Sequence, residues 1–400
     1  MIIHRKNDFP TIIICMIHRP KQSFLLLFLA ILIGFISGSI VMHWIDQRQV
    51  EFPIFTQAYN FFVKNAYAYQ DTPEENKTLE YGMINGLFQA FGDPHTRFIQ
   101  PATHEIEMNT LEGKFGGIGA TIEKDQEGNF VLYPASGSPA ALAGILNGDR
   151  ITQVNDLLIN ADTSMDVILA EIRGPVKSKV KISLFRPQSG ESLSVSVVRQ
   201  EFSLPSVTYS FPQPGTPVAV IKVSIVASTT PDEIEQAMQA VLAQPVDAIV
   251  LDLRDNAGGF VDAGVKIAGM YLPAGDLLGK KFRDAPDDIV TTGKDGKYLN
   301  IPLFVFVNHG TASAAEIITG ALQANHRAMI IGTNTYGKDS IQLVFDLDDG
   351  SSVHITNAKW FIPGLGYDIG EQGVQPDILL SDDQMNLDTC LEIVLQHLSN

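Results

Sequence analysis

Apolar residues follow three different spacings along the chain. Over residues 50–110 they recur at helical intervals: Phe55, Ala58, Tyr59 and Phe62 fall at i, i+3, i+4 and i+7, and Tyr81, Ile84, Leu87 and Phe88 nearly so. The second run stops at Gly92-Asp93-Pro94, a strong breaker, so a small helical region is predicted here. Residues 114–200 instead carry short β-rich runs, Ile118–Ile122, Phe130–Tyr133, Val180–Phe185 and Leu193–Val198, parted by Gly, Pro, Asn and Asp turns. With one helix predicted over Ser164–Ile172, this stretch reads as a compact β-dominated module. From Pro217 the pattern becomes strand–helix–strand. Val218–Val223, Ala248–Leu253 and Leu303–Val307 are near-continuous apolar runs, as expected of buried strands in an α/β sheet. Helices are predicted over Pro231–Leu242 and Ser313–Ala324; in the latter Ala314, Ile317, Ile318, Ala321 and Leu322 share one face.

A different kind of run precedes all of these. Ser23 to Ile45 contains no Asp, Glu, Lys or Arg, and as a helix it would span roughly 35 Å against a bilayer core of about 30 Å. Arg5, Lys6, Arg19 and Lys21 all lie before it, which places the N-terminus in the cytoplasm and the rest outside, with Trp44 as an interfacial anchor. The expectation is therefore a single-pass membrane protein whose functional part is extracytoplasmic. Ser37-Gly38-Ser39 keeps a cleaved signal peptide, and hence secretion, as the competing reading.

Composition narrows the partners. The chain has 400 residues and a formal charge of −17, and the part beyond residue 45 is more acidic still. Such a body repels a phosphate backbone, which counts against nucleic acid. Cys15 and Cys390 are the two cysteines, too few for a disulfide framework or a cysteine zinc site, and the nine histidines are scattered. No metal or other cofactor is implied.

Candidate chemistry concentrates at Val307-Asn308-His309-Gly310-Thr311-Ala312-Ser313-Ala314-Ala315-Glu316, where a buried strand ends in a small-residue turn and Ser313 opens a helix. Ser313 with Glu316 at N3 has the form of a capping box. The same place suits a nucleophile, because the first free N–H groups of a helix can stabilise an oxyanion. A nucleophilic serine needs a base. His309 is one candidate and Lys338 another, provided burial makes the amine neutral. The Asp255-Asn256-Ala257-Gly258-Gly259 turn, after the strand Ala248–Leu253, can bring further N–H groups to a reacting carbonyl.

Taken in order, Gly92-Asp93-Pro94-His95-Thr96, Gly113-Lys114-Phe115-Gly116-Gly117-Ile118-Gly119, Gly137-Ser138-Pro139-Ala140, Ala143-Gly144-Ile145 with Gly148-Asp149, Leu251-Asp252-Leu253-Arg254, Gly258-Gly259, Ala312-Ser313 with Glu316-Ile317, Gly320-Ala321-Leu322-Gln323, Gly337-Lys338 and Gln375-Pro376-Asp377 resemble the carboxyl-terminal processing proteases, the tail-specific family of Ser–Lys endopeptidases. The likeness runs from about residue 55 to 382. It implies an α/β protease domain of the crotonase/ClpP-like kind with an inserted PDZ domain. The organisation expected is a cytoplasmic segment 1–22, a transmembrane anchor 23–45, a helical region 50–112, a PDZ domain 113–200, the protease domain 201–382 and a C-terminal helix 383–400.

The resemblance also assigns roles. Ser313 would be the nucleophile, Lys338 the general base and Gln342 the residue that orients it, while the N–H groups of Gly258 and Ala314 would form the oxyanion hole. The loop Gly117, Ile118, Gly119 and Ala120 would receive the terminal carboxylate of a protein or peptide tail added as a strand. A homo-oligomer or an activating partner is compatible with this. The chain departs from the family pattern at Ala257 (usually proline), Thr311 (usually serine), Asp339 after the lysine, and Arg173-Gly174-Pro175-Val176-Lys177-Ser178. If Asp339 faced Lys338 it would favour the ammonium form, and an inactive PDZ scaffold that binds protein C-termini is the alternative this raises. A crotonase-like acyl-CoA enzyme is a third reading, opposed by the exported location and the PDZ domain.

Overall fold

The structure, a computed structural model, describes residues 52–160, 162–212 and 217–399. The expected anchor over 23–45 lies outside these residues. Among the described residues no helix is long and apolar enough to cross a membrane. The described residues fall into two compact units, divided between Leu79 and Glu80.

Helix α1 (Pro53–Asn65) belongs to the first unit and starts with proline, whose missing N–H costs nothing there. It buries none of its residues, and Phe55 and Phe62 of its predicted apolar face are exposed. Their rings meet local partners instead, Tyr59 at 6.3 Å and Tyr69 at 5.6 Å. Helix α2 (Pro73–Phe91) ends, as the breaker predicts, at Gly92 with φ 81°.

In the second unit β1 (Arg97–Ile99) and α3 (Pro101–Leu111) lead into β2 (Lys114–Gly117). A strand was expected over Ile118–Ile122, but Gly119 has φ 69° and splits it, so β2 stops at Gly117 and β3 (Ala120–Lys124) begins after the turn. The remaining strands of this module are β4 (Phe130–Pro134), β5 (Asp149–Val154), β6 (Leu157–Leu158), β7 (Lys179–Arg186) and β8 (Glu191–Val198). They pair antiparallel in the order β3-β4-β5-β7-β8, with β6 on β5, which leaves β3 as a free edge. Two short helices, α4 (Pro139–Leu142) and α5 (Met165–Ile172), are capped by Ser138 and Ser164. Ile118, Phe130, Leu132, Ile145, Ile168 and Ile182 lie in one core. Strand β9 (Gln200–Ser203) returns along β2 and closes the module's base.

The rest is built on a second six-stranded sheet. Its strands are β10 (Val207–Ser210), β11 (Val218–Val223), β12 (Ala248–Asp252), β15 (Leu303–Val307), β16 (Met329–Gly332) and β19 (Ile378–Leu379), in that order. All pairs except β10–β11 are parallel, with Val220 beside Val250, Val250 beside Phe304 and Phe306 beside Ile331. The apolar runs β12 and β15 are buried at every position, as parallel strands covered on both faces must be. On one face pack α6 (Thr230–Leu242), α7 (Val261–Gly269) and α8 (Ala314–Ala324); on the other packs α10 (Leu387–Leu398), through Cys390, Leu391 and Val394. Parallel strands put all their carboxyl ends on one edge, so the loops after β12, β15 and β16 emerge side by side.

An antiparallel sheet not read from the sequence completes the unit. It runs β1-β18-β13-β14, from β13 (Gly275–Phe282), β14 (Asp288–Thr292) and β18 (Ser352–Phe361), with β17 (Ser340–Asp346) paired to β18. Lys338 stands just before β17, so this sheet decides where that lysine lies. A four-residue α9 (Ile369–Gln372) packs its Ile369 into the core.

Leu251 is wholly buried between β11 and β15. Leu251→Ala should cost roughly 2–5 kcal/mol of unfolding free energy, read by chemical denaturation. Leu158→Ala, at a side chain 71% exposed, should change it by less than about 0.5 kcal/mol.

Candidate active site

The carboxyl-edge loops are joined to one another before any catalytic side chain enters. Arg254 leaves β12 with two bonds to the buried Asp252 (Nε–Oδ1 2.8 Å, Nη2–Oδ2 2.6 Å) and a third to Met385 O at 2.8 Å. Next, Asp255, at φ 62°, exchanges bonds with Asn308: its N–H donates to Asn308 Oδ1 (2.9 Å), and Asn308 Nδ2 donates to Asp255 Oδ1 (2.8 Å). Thr311 is buried and its Oγ1 donates to Leu253 O at 2.8 Å. A serine hydroxyl could make the same cross-loop bond, which is why the Thr311 departure is tolerated. Finally the Ala312 N–H donates to Asn256 O at 2.9 Å. The glycine turn and the serine turn are thus one structure.

At their junction Gly258 has φ 97°, and a β-carbon on it would stand 2.8 Å from Ser313 Cβ and 2.9 Å from Ala314 N. Only glycine fits there. Ser313 itself has φ 54° and ψ −118°, an unfavourable backbone for a non-glycine residue that costs on the order of 1–3 kcal/mol. As the N-cap of α8 it receives the return bond of the expected capping box, its N–H donating to Glu316 Oε2 at 2.7 Å, while Oγ makes no cap hydrogen bond.

Glu316 does far more than complete a cap. It is fully buried and accepts four hydrogen bonds: from Ser313 N–H, from Thr335 Oγ1 (2.5 Å), from Gly337 N–H (2.7 Å) and from Lys338 N–H (3.0 Å). Gly337, at φ 89°, lets two consecutive N–H groups face the same carboxylate. One oxygen, Oε2, therefore holds the backbones of both Ser313 and Lys338. Thr335 Oγ1 in turn accepts from Val374 N–H at 2.7 Å. The sequence marked Glu316 only as an N3 residue, and nothing in local spacing signals the second partner, 22 residues away.

Lys338 is half-buried. Burial pushes its amine below the ordinary lysine value, and the positive charge of Arg97 pushes the same way, with Glu316 and Asp93 opposing. Arg97 arrives on β1, held by the Gly92–Thr96 motif: Thr96 Oγ1 donates to Asp93 Oδ2 (2.6 Å) and accepts from Thr356 N–H of β18 (3.1 Å). The amine makes no hydrogen bond to Ser313 Oγ. Gln342 does not contact it through a hydrogen bond either, because its Nε2 donates to Ser340 Oγ at 2.9 Å. Asp339 is turned to Lys359, which donates to it at 2.7 Å, so the reason for expecting a suppressed base is absent. His309 is exposed, its nearest acidic neighbour being Asp382 at 3.9 Å.

The expected carboxylate loop lies in the other module. Ile118 fills the core, with its carbonyl accepting from Ala140 N–H (2.9 Å) and that of Gly119 from Ala135 N–H (2.9 Å). Among the described residues the Ile118 and Gly119 N–H groups make no hydrogen bond, and Ala120 starts the edge strand β3. A β-carbon on Gly119 would stand 2.7 Å from Ser138 Cβ, so the turn needs its glycine.

Comparison with known proteins agrees in family. Residues 217–380 match peptidase family S41, and residues 130–186 match the PDZ domain. The carboxyl-terminal-processing protease of Synechocystis sp. is 32% identical over 313 residues, which are 77% of this chain and 73% of that protein. The chloroplastic C-terminal processing peptidase of Tetradesmus obliquus is 32% identical over 331 residues, 79% of this chain and 71% of its own. A solved photosystem II D1 C-terminal processing protease, 29% identical, aligns over 85% of this chain and 90% of its own with a TM-score of 0.48. With its PDZ domain and its S41 domain, this chain belongs to the carboxyl-terminal-processing proteases, and it is a serine peptidase.

Proposed function

We propose that the protein is an endopeptidase that captures the C-terminal tails of exported proteins and cleaves them through a Ser313–Lys338 dyad. The observation that carries this reading is the shared carboxylate: Glu316 Oε2 anchors both backbones, beside a lysine that burial disfavours as an ammonium. With both backbones anchored to one carboxylate, the dyad would close on substrate binding, since catalytic hydrogen bonds in empty sites are often long or poorly aligned.

In the reaction the neutral Lys338 amine takes the Ser313 hydroxyl proton as Oγ attacks the peptide carbonyl. The carbonyl oxygen becomes an oxyanion facing the N–H groups of Gly258 and Ala314. Collapse of the tetrahedral species breaks the C–N bond, and the Lys338 ammonium returns its proton to the leaving amine. Water, deprotonated by the same amine, then releases the acyl group. Gln342 would orient the lysine after leaving Ser340. In the PDZ domain an extended tail adds to the edge of β3, with its carboxylate on the unpartnered N–H groups of Ile118 and Gly119, in the loop Gly117–Ala120. The membrane helix over 23–45, the extracytoplasmic location, the domain limits given above, and any homo-oligomer or activating partner belong to the same proposal.

Ser313→Ala and Lys338→Ala should each abolish tail-dependent cleavage of an unfolded protein by the full chain; undiminished cleavage in either would remove the dyad. Because the base is the neutral amine, acylation of Ser313 should rise with pH through the lowered Lys338 pKa and fall as pH drops below it. An inflection near pH 6–7 lost in His309→Ala would point to a histidine base. The folded state binds the Lys338 proton more weakly than the unfolded chain, so stability from this group is lowest at low pH and recovers toward the unfolded lysine value. Lys338→Met should thus raise the thermal midpoint at neutral pH while removing activity. Glu316→Gln places an amide donor among N–H donors and should lower kcat roughly hundredfold with little change in KM; activity within about twofold of native would show the carboxylate to be dispensable.

A further inference from the structure

Asn256 is wholly buried and every polar group on it is used. Its Nδ2 donates to Val223 O at 2.9 Å, its carbonyl accepts from Ala312 N–H at 2.9 Å, and its N–H donates to Leu253 O at 3.3 Å. The last group, Oδ1, accepts from the Gly258 N–H at 2.9 Å. That bond bears directly on reactivity. Gly258 packs on the serine turn, yet the N–H expected to serve an oxyanion at Ser313 is turned back to a neighbouring side chain. Among the described residues the Ala314 N–H, at the first position of α8, has no hydrogen-bond partner. One donor of the pair is open and the other is occupied.

We propose, resting on the acyl-enzyme reading above, that Asn256 is a positioning residue that keeps the Gly258 N–H in reserve. A single N–H cannot make two well-aligned bonds at once, so Asn256 Oδ1 and a substrate oxygen compete for it. In the empty enzyme the side-chain amide wins, and it spares the site a buried, unpaired donor. When the carbonyl oxygen takes on negative charge, it becomes the stronger acceptor, because hydrogen bonds to an ionised acceptor are about twice as strong as neutral ones. The peptide between Ala257 and Gly258 then turns about the glycine φ, which has no side chain to resist the change. Asn256 cannot follow, since Val223 and Ala312 hold it from the other side. The device favours substrates whose binding drives the carbonyl firmly against Ser313 and leaves the resting serine poorly reactive toward others.

The test is a structure of the native full chain carrying a peptide boronic acid on Ser313, whose tetrahedral boronate oxygen stands in for the oxyanion. The expected result is the Gly258 N–H on that oxygen and Asn256 Oδ1 beyond about 3.5 Å from it. A boronate on Ser313 held by Ala314 and some other donor, with Gly258 still bonded to Asn256, overturns the inference. No adduct at Ser313 would be a different failure, that of the acyl-enzyme reading, and would take this inference with it. As a second measurement, Asn256→Ala should acylate faster with p-nitrophenyl acetate, by about threefold or more, although it is less heat-stable, because a donor is released. Slower acylation in a folded variant, as judged by its circular dichroism, would mean that Asn256 merely supports the loop and would refute the reserve. If that variant does not fold, the boronate structure of the native chain decides alone.

Discussion

A single buried carboxylate organises this site. Glu316 sits in the first turn of α8, where the helix dipole favours negative charge, and its oxygens are saturated by three N–H groups and one hydroxyl. A buried charge without such partners would cost several kcal/mol; with them it becomes a rigid node between two loops that the chain order keeps apart. The strained Ser313 backbone persists because this node and the Gly258 contact determine it from two sides. The lysine reaches the serine's neighbourhood by the same node, not by any direct bond between the two side chains.

Around that node the parallel sheet supplies proximity and the antiparallel sheet supplies burial. Loops after β12, β15 and β16 meet because parallel strands end together. Lys338 is half-buried within electrostatic reach of Arg97 on β1 and His354 on β18, and Arg97 adds a like charge. The PDZ module is separate in its core but shares the second unit, and its β3 is an open edge of the sheet.

Much of this was legible in the residues. Continuous apolar runs located β11, β12 and β15, helical spacing located α6 and α8, and Ser164 marked the start of α5. These features are local, and burial on both faces makes them loud. The antiparallel sheet was silent because its strands are half exposed and their alternation is broken by polar positions such as Gln342 and Asn357. Composition alone reads Ile118–Ile122 as one strand, because a turn of one residue leaves it β-rich; the family resemblance makes Gly117–Ala120 a loop, and the positive φ of Gly119 agrees with the loop. Phe55 and Phe62 show the converse: helical periodicity was present, but among the described residues it buries nothing. At the site, Ser313, Gly258 and Lys338 stood out through their turns, whereas the second role of Glu316 depends on partners 19 to 22 residues away that only the fold brings back. Asp339 follows Lys338 in sequence, yet its carboxylate is bonded to Lys359 of β18, a partner that sequence proximity does not signal.

The account stands on the amine of Lys338 being easier to deprotonate than a free lysine while lying within reach of Ser313. The most direct measurement is an NMR titration of the Lys338 side chain in the full-length protein, with Lys338→Met identifying its resonance. The account predicts a midpoint clearly below the ordinary 10.5 and a shift of that resonance when Ser313 is acylated. A midpoint at or above 10.5, unmoved by acylation, would contradict it.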